Sequence, residues 1–242
     1  MLQFHSGIVT LKLSIIVPVY NERLTILEIL QRVQKADIGP DWEKQIIVVD
    51  NCSTDGTRDL LLDYDADNVQ IIMQTENRGK GHSVRTAIPL CIGDYTITQD
   101  ADLEYNPREY VKLLEHALVN KLDVVYGSRV LGGKYYHNYR LNYWVVRGLT
   151  YLTNMLFGAS FTDVATNYKL VRTELLKSLK LQSSGFDLDF EISNKLALIT
   201  DKIDEVSIAY EPRTYAEGKK IGLIDGLLAL WVIVRDRLKS TF

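Results

Sequence analysis

The stretch Gln99-Asp100-Ala101-Asp102-Leu103-Glu104 directly follows the strand-like run Tyr95–Thr98. In an extended segment alternate side chains share a side, so Asp100, Asp102 and Glu104 are predicted to face one way as hard oxygen ligands for one divalent cation. An Asp-x-Asp pair alone is no more than a solvated acidic turn. What sets this one apart is its place at the carboxyl end of a candidate parallel strand, where open α/β sheets bind ligands.

Working outward, apolar runs rich in β-branched residues alternate with segments of helical period, the sign of βαβ units in a mostly parallel sheet. Strands are expected over 13–19, 45–50, 69–73, 94–98 and 123–126, and helices over 24–35, 57–64, 81–90 and 107–120. Asn106-Pro107 supplies a cap followed by proline for the last of these. The sheet is thus expected to be built from the N-terminal half. Past Arg129 a loop through Gly132-Gly133 leads to helices over 141–157, 190–198 and 221–238, with a strand over 203–209. No linker or repeat divides the 242 residues, which predicts one domain, 1–129 forming one half and 130–242 the other.

Composition bounds the function. With 46% hydrophobic residues the chain buries a full core, and a formal charge of -3 gives no footprint for nucleic acid. Two cysteines, Cys52 and Cys91, make a disulfide framework improbable and fit a reducing, cytoplasmic compartment. The first twelve residues lack a basic region followed by a continuous apolar run, so neither a signal peptide nor a membrane span is expected there.

Two further strand ends carry polar groups at the same edge. Val17-Pro18-Val19-Tyr20-Asn21-Glu22 closes the first strand, and Val49-Asp50-Asn51-Cys52-Ser53-Thr54-Asp55-Gly56-Thr57 follows the second. Glu22 and Asp50 can accept hydrogen bonds from a base or ribose, while Asp55 suits a helix cap. Asn77-Arg78-Gly79-Lys80-Gly81-His82 is a basic glycine turn opening a helix, where backbone amides and Lys80 favour an anion. It matches neither the P-loop nor the dinucleotide fingerprint.

Taken with Gly127-Ser128-Arg129, these stretches resemble glycosyltransferase family 2, enzymes of GT-A fold that use nucleotide-sugar donors, and within it the polyprenyl-phosphate hexosyltransferases of dolichol-phosphate mannosyltransferase type. The resemblance implies an α/β GT-A fold, a Rossmann-like, mostly parallel central sheet flanked by helices with a C-terminal helical elaboration. It implies a donor site of Pro18, Tyr20, Glu22, Asp50, Lys80, Asp100, Ala101 and Asp102. Asp100, Asp102 and Glu104 would hold Mg2+ or Mn2+, Glu104 standing where many relatives have Gln.

By the same likeness Gly185-Phe186-Asp187-Leu188-Asp189-Phe190-Glu191 is an acidic segment near the sugar, and 212–220 a basic segment near the acceptor. Asp102, Arg129, Arg147 and Asp187 are the expected catalytic set, with Arg140 an alternative to Arg147. Asp163, Glu191, Arg213, Lys219 and Lys220 would meet the acceptor. In 163–169, Asn167 replaces the family's glycine, a substitution a left-handed turn tolerates.

The expected reaction is metal-dependent, inverting transfer of a hexose from a GDP-mannose- or UDP-glucose-type donor to a polyprenyl phosphate. A phosphate nucleophile is largely ionised near neutral pH and requires no strong base. A sugar hydroxyl, the acceptor in the alternative of a soluble polysaccharide-elongating enzyme, would need a carboxylate such as Asp163 or Asp187 to take its proton. A non-catalytic nucleotide-sugar-binding module is the alternative of another class. The apolar run 221–234 is too short to cross a bilayer. It reads as a packing helix or as an interfacial one, with Trp231, Arg235, Arg237 and Lys239 at the inner face of a membrane. The scattered histidines form no metal-spacing pair.

Overall fold

A computed structural model of the chain describes residues 10–131, 140–213 and 223–240. Strand β1 (Leu11–Val19) pairs in parallel with β2 (Trp42–Asp50), Leu11 opposite Trp42 and Val19 opposite Asp50. β3 (Val69–Met73) extends the sheet beyond β2, and β4 (Tyr95–Thr98) lies along the other side of β1, both parallel. β5 (Val124–Ser128), β6 (Lys169–Arg172) and β7 (Ile203–Ser207) complete seven strands in the order β3-β2-β1-β4-β6-β5-β7. β6 runs antiparallel to both β4 and β5.

Three corrections follow. The sheet is not built from the N-terminal half alone, because β6 and β7 come from beyond residue 130. β6 and the short helix after it were not expected from sequence: four residues with only Leu170 and Val171 apolar are too few to set a period, and pairing on both sides makes the strand. The expected strand over 203–209 ends at Ser207.

Alternation along the strands divides the core in two. Ile15, Val17, Ile46 and Val48 point to one face, Ile16, Ile47 and Val49 to the other, and all are fully buried. Burial on both faces is why these strands read as continuous apolar runs. The first face is covered by α1 (Ile26–Lys35), α2 (Thr57–Leu62) and α4 (Tyr110–Val119). The second is covered by α3 (Lys80–Ala87), α5 (Arg140–Phe157), α6 (Thr173–Ser178), α7 (Leu188–Ile199) and α8 (Leu223–Lys239). Each buried aliphatic side chain contributes roughly 1.5–3 kcal/mol.

The parallel strands β1 to β4 all end at one edge, and the loops that leave them turn sharply there. Asn21, Cys52 and Leu103 have φ of 54°, 62° and 67°, a region disfavoured for residues with a Cβ.

Candidate active site

A cleft of about 290 Å³ opens at that edge, walled by Pro18, Val19 and Tyr20 after β1, by Asn51 and Asn77 after β2 and β3, and by Asp100 to Asp102 after β4. Its far wall is formed by Arg129, Asn167, Phe186, Asp189, Tyr210 and Arg213.

Alternation in an extended strand does not place the carboxylates, because β4 stops at Thr98. Residues 99–105 form a turn through the left-handed Leu103, closed by the Glu104 N–H donating to Asp102 Oδ1 at 3.1 Å. Asp100 pairs with Lys80 Nζ at 2.7 Å and Asp102 with Arg213 Nη2 at 3.1 Å. Burial raises the pKa of both carboxyls. Asp102 is pushed up to about 7, with the charges of Asp100 and Glu104 adding to burial and Arg213 opposing it. Burial works against the charge of Lys80, but Asp100, Asp189 and Asp102 outweigh it and hold its pKa above the usual value.

Glu104, expected as a third ligand, lines the cleft but is engaged elsewhere. It accepts the Tyr210 hydroxyl on one oxygen and the backbone N–H of Arg213, at 2.7 Å, on the other. Among the described residues no three His, Cys, Asp or Glu side chains converge as a metal cage. Two cleft carboxylates held above their usual pKa by burial, Asp102 also by the charge of Asp100, nevertheless concentrate negative charge in the cleft. They suit a cation such as Mg2+, which takes one or two protein carboxylates and draws its remaining oxygens from substrate phosphates and water.

Gln99, which the sequence reading passed over, fixes this turn. Its Oε1 accepts the hydroxyls of Tyr110 and Tyr168, while Nε2 donates to the carbonyls of Asp100 at 3.0 Å and Tyr105 at 3.3 Å. All four hydrogen-bonding positions of the amide are thereby filled inside the core. Burial raises the pKa of both phenols, keeping them as donors. Asn167 joins the same scaffold through its side-chain bond to the carbonyl of Thr98 at 3.0 Å. Its φ is not positive, so the reason for asparagine there is this bond and not a left-handed turn.

Arg129 is held by Asp163, which accepts its backbone N–H and two guanidinium bonds at 2.7 and 2.8 Å. The guanidinium lies 5.1 Å from the Tyr210 ring centroid. Burial disfavours the Asp163 carboxylate, but Arg129 outweighs it and draws the pKa below the usual range. Asp163, expected at the acceptor, is therefore a buried anchor for Arg129 and does not line the cleft. Arg147, expected on phosphate, instead donates to the carbonyl of Thr162 at 2.7 Å and steadies the loop that carries Asp163.

The acidic segment differs likewise from expectation. Asp187 turns back to accept the N–H of Gly185 at 3.0 Å, because α7 begins at the next residue. Asp189, two residues on, lines the cleft and pairs with buried Lys169 at 2.8 Å. Glu191 is fully buried, with Lys195 and Arg235 on its carboxylate and the N–H groups of Gln182 and Ser183 donating to it. It cannot reach an acceptor.

On the donor side, Asp50 lies beneath the cleft, its carboxylate completely buried against Arg58 at 2.8 Å. Asn51 faces the cleft in its place, bonded to Asn77 and to the N–H of Arg78. Glu22 lines the cleft while accepting two bonds from Arg213, each 3.1 Å long. The glycine turn serves close packing within the protein: a Cβ on Gly79 would stand 2.3 Å from the carbonyl oxygen of Ser184, and one on Gly81 2.8 Å from that of Ser183. That approach sets Lys80 5.4 Å from the centroid of Phe186. Lys219 and Lys220 lie outside the described residues, and of Arg140 only the backbone is described.

The family model described as Glycosyl transferase family 2 matches residues 14–180. The chain is 27% identical over 216 residues to the dolichol-phosphate mannosyltransferase of Pyrococcus furiosus, covering 88% of this chain but spanning only 60% of that relative. It is 29% identical to the undecaprenyl-phosphate mannosyltransferase of Micrococcus luteus, with 92% and 97% of the two chains covered. Among solved structures, glucosyl-3-phosphoglycerate synthase of Mycobacterium tuberculosis superposes with a TM-score of 0.70 at 18% identity, over 93% of this chain and 80% of that one. A complex of the same enzyme holds Mn2+, UDP and glucosyl-3-phosphoglycerate and gives a TM-score of 0.67 at 20% identity, over 93% and 80%.

Proposed function

The chain belongs to glycosyl transferase family 2 and has the GT-A fold, and from that premise we propose that it transfers a hexose, with inversion, from a nucleoside diphosphate sugar to the phosphate of a polyprenyl lipid. The observation that carries the reading is the state of Asp163. A sugar hydroxyl needs a base within the cleft. Asp163 is locked to Arg129 with its pKa lowered, which makes it a weak base, and Asp187 bonds to Gly185. Asp189, which does line the cleft, is tied to Lys169. A phosphate acceptor needs no proton removed, since its second pKa is about 6. The relatives named for transfer to dolichol or undecaprenyl phosphate support the same acceptor class.

In this reading Pro18, Tyr20 and Asn51 form the nucleoside end of the cleft, and Lys80 and Arg129 face the diphosphate. Asp100 and Asp102 would hold Mg2+ or Mn2+, which supplies positive charge to the leaving diphosphate when bound. Lys80 and Arg213 neutralise those two carboxylates in the structure and line the cleft, where in this reading each turns to phosphate oxygens once the metal takes its place. The guanidinium of Arg129 is pre-oriented by Asp163 and by the Tyr210 ring, so little reorganisation opposes its action on developing charge. The acceptor phosphate attacks from the side of Arg213.

The test is release of nucleoside diphosphate from a panel of GDP- and UDP-hexoses, with Mg2+ or Mn2+, with and without a short-chain polyprenyl phosphate. One donor should be consumed in proportion to lipid phosphate added. Binding of a donor with no turnover under any condition would leave a binding module in place of an enzyme.

A further inference from the structure

The cleft is charged toward β4 and its far wall, through Lys80, Asp100, Asp102, Arg129 and Arg213, whereas Pro18, Tyr20, Asn51 and Asn77 give the ends of β1 to β3 a neutral lining. That lining suits a base, and Asn51 within it is only 3% exposed. Two backbone N–H groups fix which way the amides of Asn51 and Asn77 face. The N–H of Arg78 donates to Asn51 Oδ1 at 2.9 Å and that of Gly79 to Asn77 Oδ1 at 3.0 Å, and an N–H meets only an acceptor, so each oxygen is identified. Asn51 Nδ2 then donates to Asn77 Oδ1 at 2.8 Å. Asn77 Oδ1 has both acceptor positions filled, and Asn51 keeps one acceptor position and one N–H for a ligand.

We infer that the base held at this end is uracil and not guanine, and that Asn51 selects it. Uracil carries N3–H between two carbonyls, so Asn51 Oδ1 accepts N3–H while Nδ2 donates to a flanking carbonyl. Guanine offers N1–H beside O6 in the same way, but its exocyclic amine stands next to N1–H as a second donor. Adjacent donors call for a carboxylate, and none among the described residues is open here. Asp50 is buried beneath the cleft against Arg58, and Asp55 bonds back to Arg23 and Thr57. Glu22 belongs to the diphosphate end, since Nη2 of Arg213 bonds both it and Asp102 at 3.1 Å. Guanine is also read by an arginine fork on O6 and N7, but Arg78 is paired with Glu76 at the surface and does not line the cleft. A guanine amine buried without an acceptor costs about 10- to 100-fold in affinity. This inference rests on the nucleotide-sugar donor proposed above and chooses between its two classes.

The experiment is calorimetric titration of the whole chain, with Mn2+ and no acceptor, against UDP, GDP, inosine diphosphate and 3-methyluridine diphosphate. UDP should bind about 10- to 100-fold more tightly than GDP. Inosine diphosphate, which is GDP without the amine, should bind about tenfold more tightly than GDP, and blocking N3–H by methylation should weaken UDP by about tenfold or more. Asn51→Asp gives the edge a carboxylate that accepts both guanine donors and removes the N–H offered to uracil, so the ratio of UDP to GDP affinity should fall by about tenfold or more. A thermal melt checks that the variant folds, and if it does not, the four ligands on wild type decide. GDP binding as tightly as UDP, equal binding of GDP and inosine diphosphate, or tighter binding of ADP or CDP than of UDP overturns the inference and leaves transfer to a lipid phosphate standing. So does an unmoved ratio in folded Asn51→Asp. UDP selected as described, with no transfer from any UDP-hexose to a lipid phosphate, overturns the proposed reaction and leaves the base assignment in place. A chain that binds no nucleotide overturns both.

Discussion

Asp163 accepts three hydrogen bonds from Arg129, one from its backbone N–H at 3.1 Å and two from its guanidinium at 2.7 and 2.8 Å. Both side chains are almost wholly shielded, Asp163 completely so, and the pair joins the end of β5 to the loop before β6. Its partner loop is held in turn by Glu205, whose carboxylate accepts the N–H of Thr162 at 2.8 Å, and by Arg147. A cleft cation is thereby positioned by groups outside the cleft.

Asp163→Asn should therefore lower both stability and transfer. Breaking a buried pair from one side costs about 3 kcal/mol or more, because the remaining charge is left uncompensated. Since Arg129 holds the folded pKa of Asp163 below its unfolded value, the contribution is fully present above about pH 4 and disappears as pH falls through the lower folded value. Thermal melts of wild type and variant should differ most near neutrality and converge in acid. A constant difference down to pH 2.5 contradicts the assignment.

Gln99→Met keeps the volume of the side chain and removes every hydrogen bond it makes. The hydroxyls of Tyr110 and Tyr168 lose their acceptor, and the turn that carries Asp100 and Asp102 loses its tie to the core. Groups that orient metal ligands are worth about 10- to 100-fold in metal affinity. Titration of Mn2+ dependence should show a shift of that size with the KM for acceptor little changed. An unaltered metal curve would remove Gln99 from this role.

Arg213→Ala separates two uses of one cation. Arg213 pairs with Asp102 and Glu22, so its loss should tighten Mn2+ binding measured without donor, as a competing positive charge is gone. Transfer should fall by about 10²–10³, the usual cost of one electrostatic contact to the transition state. Donor binding should suffer less than acceptor use. Weaker metal binding in this variant would show that Arg213 supports the site in another way.

Gly79→Ala tests the packing of the glycine turn. The added methyl would meet the carbonyl of Ser184 at 2.3 Å, at a φ of 88° that alanine disfavours. A loss of about 3 kcal/mol is expected in chemical denaturation. A variant as stable as wild type would mean that the 183–185 segment moves aside freely.

What the sequence made legible is the sheet and its edge. Strands β1 to β5 are apolar runs with turn residues after them, and parallel pairing then brings Glu22, Lys80 and Asp100 to one edge without further information, whereas at the end of β2 the sequence pointed to Asp50 and the structure turns Asn51 to the cleft. Side-chain partners were not legible. Asp50, Asp163 and Glu191 have the same composition signal as Asp100 and Asp102, and only tertiary placement beside Arg58, Arg129 and Lys195 makes them internal anchors. Asp187 and Asp189 stand two apart in one acidic stretch, and the start of α7 between them decides which faces the cleft. β6 escaped notice for want of length. Gln99 could have been suspected, since a large amide between a buried strand and a carboxylate turn must find partners for its four hydrogen bonds.

The central claim is that the acceptor group is a phosphate, and the direct measurement is transfer from the preferred nucleotide sugar to a short-chain polyprenyl phosphate against the corresponding alcohol, in parallel, across pH. The account predicts a glycosyl phosphate product, no product from the alcohol, and a rate that falls on the acid side as the acceptor gains its second proton near about pH 6. Transfer to the alcohol or to a sugar hydroxyl, with the lipid phosphate inert, would contradict it.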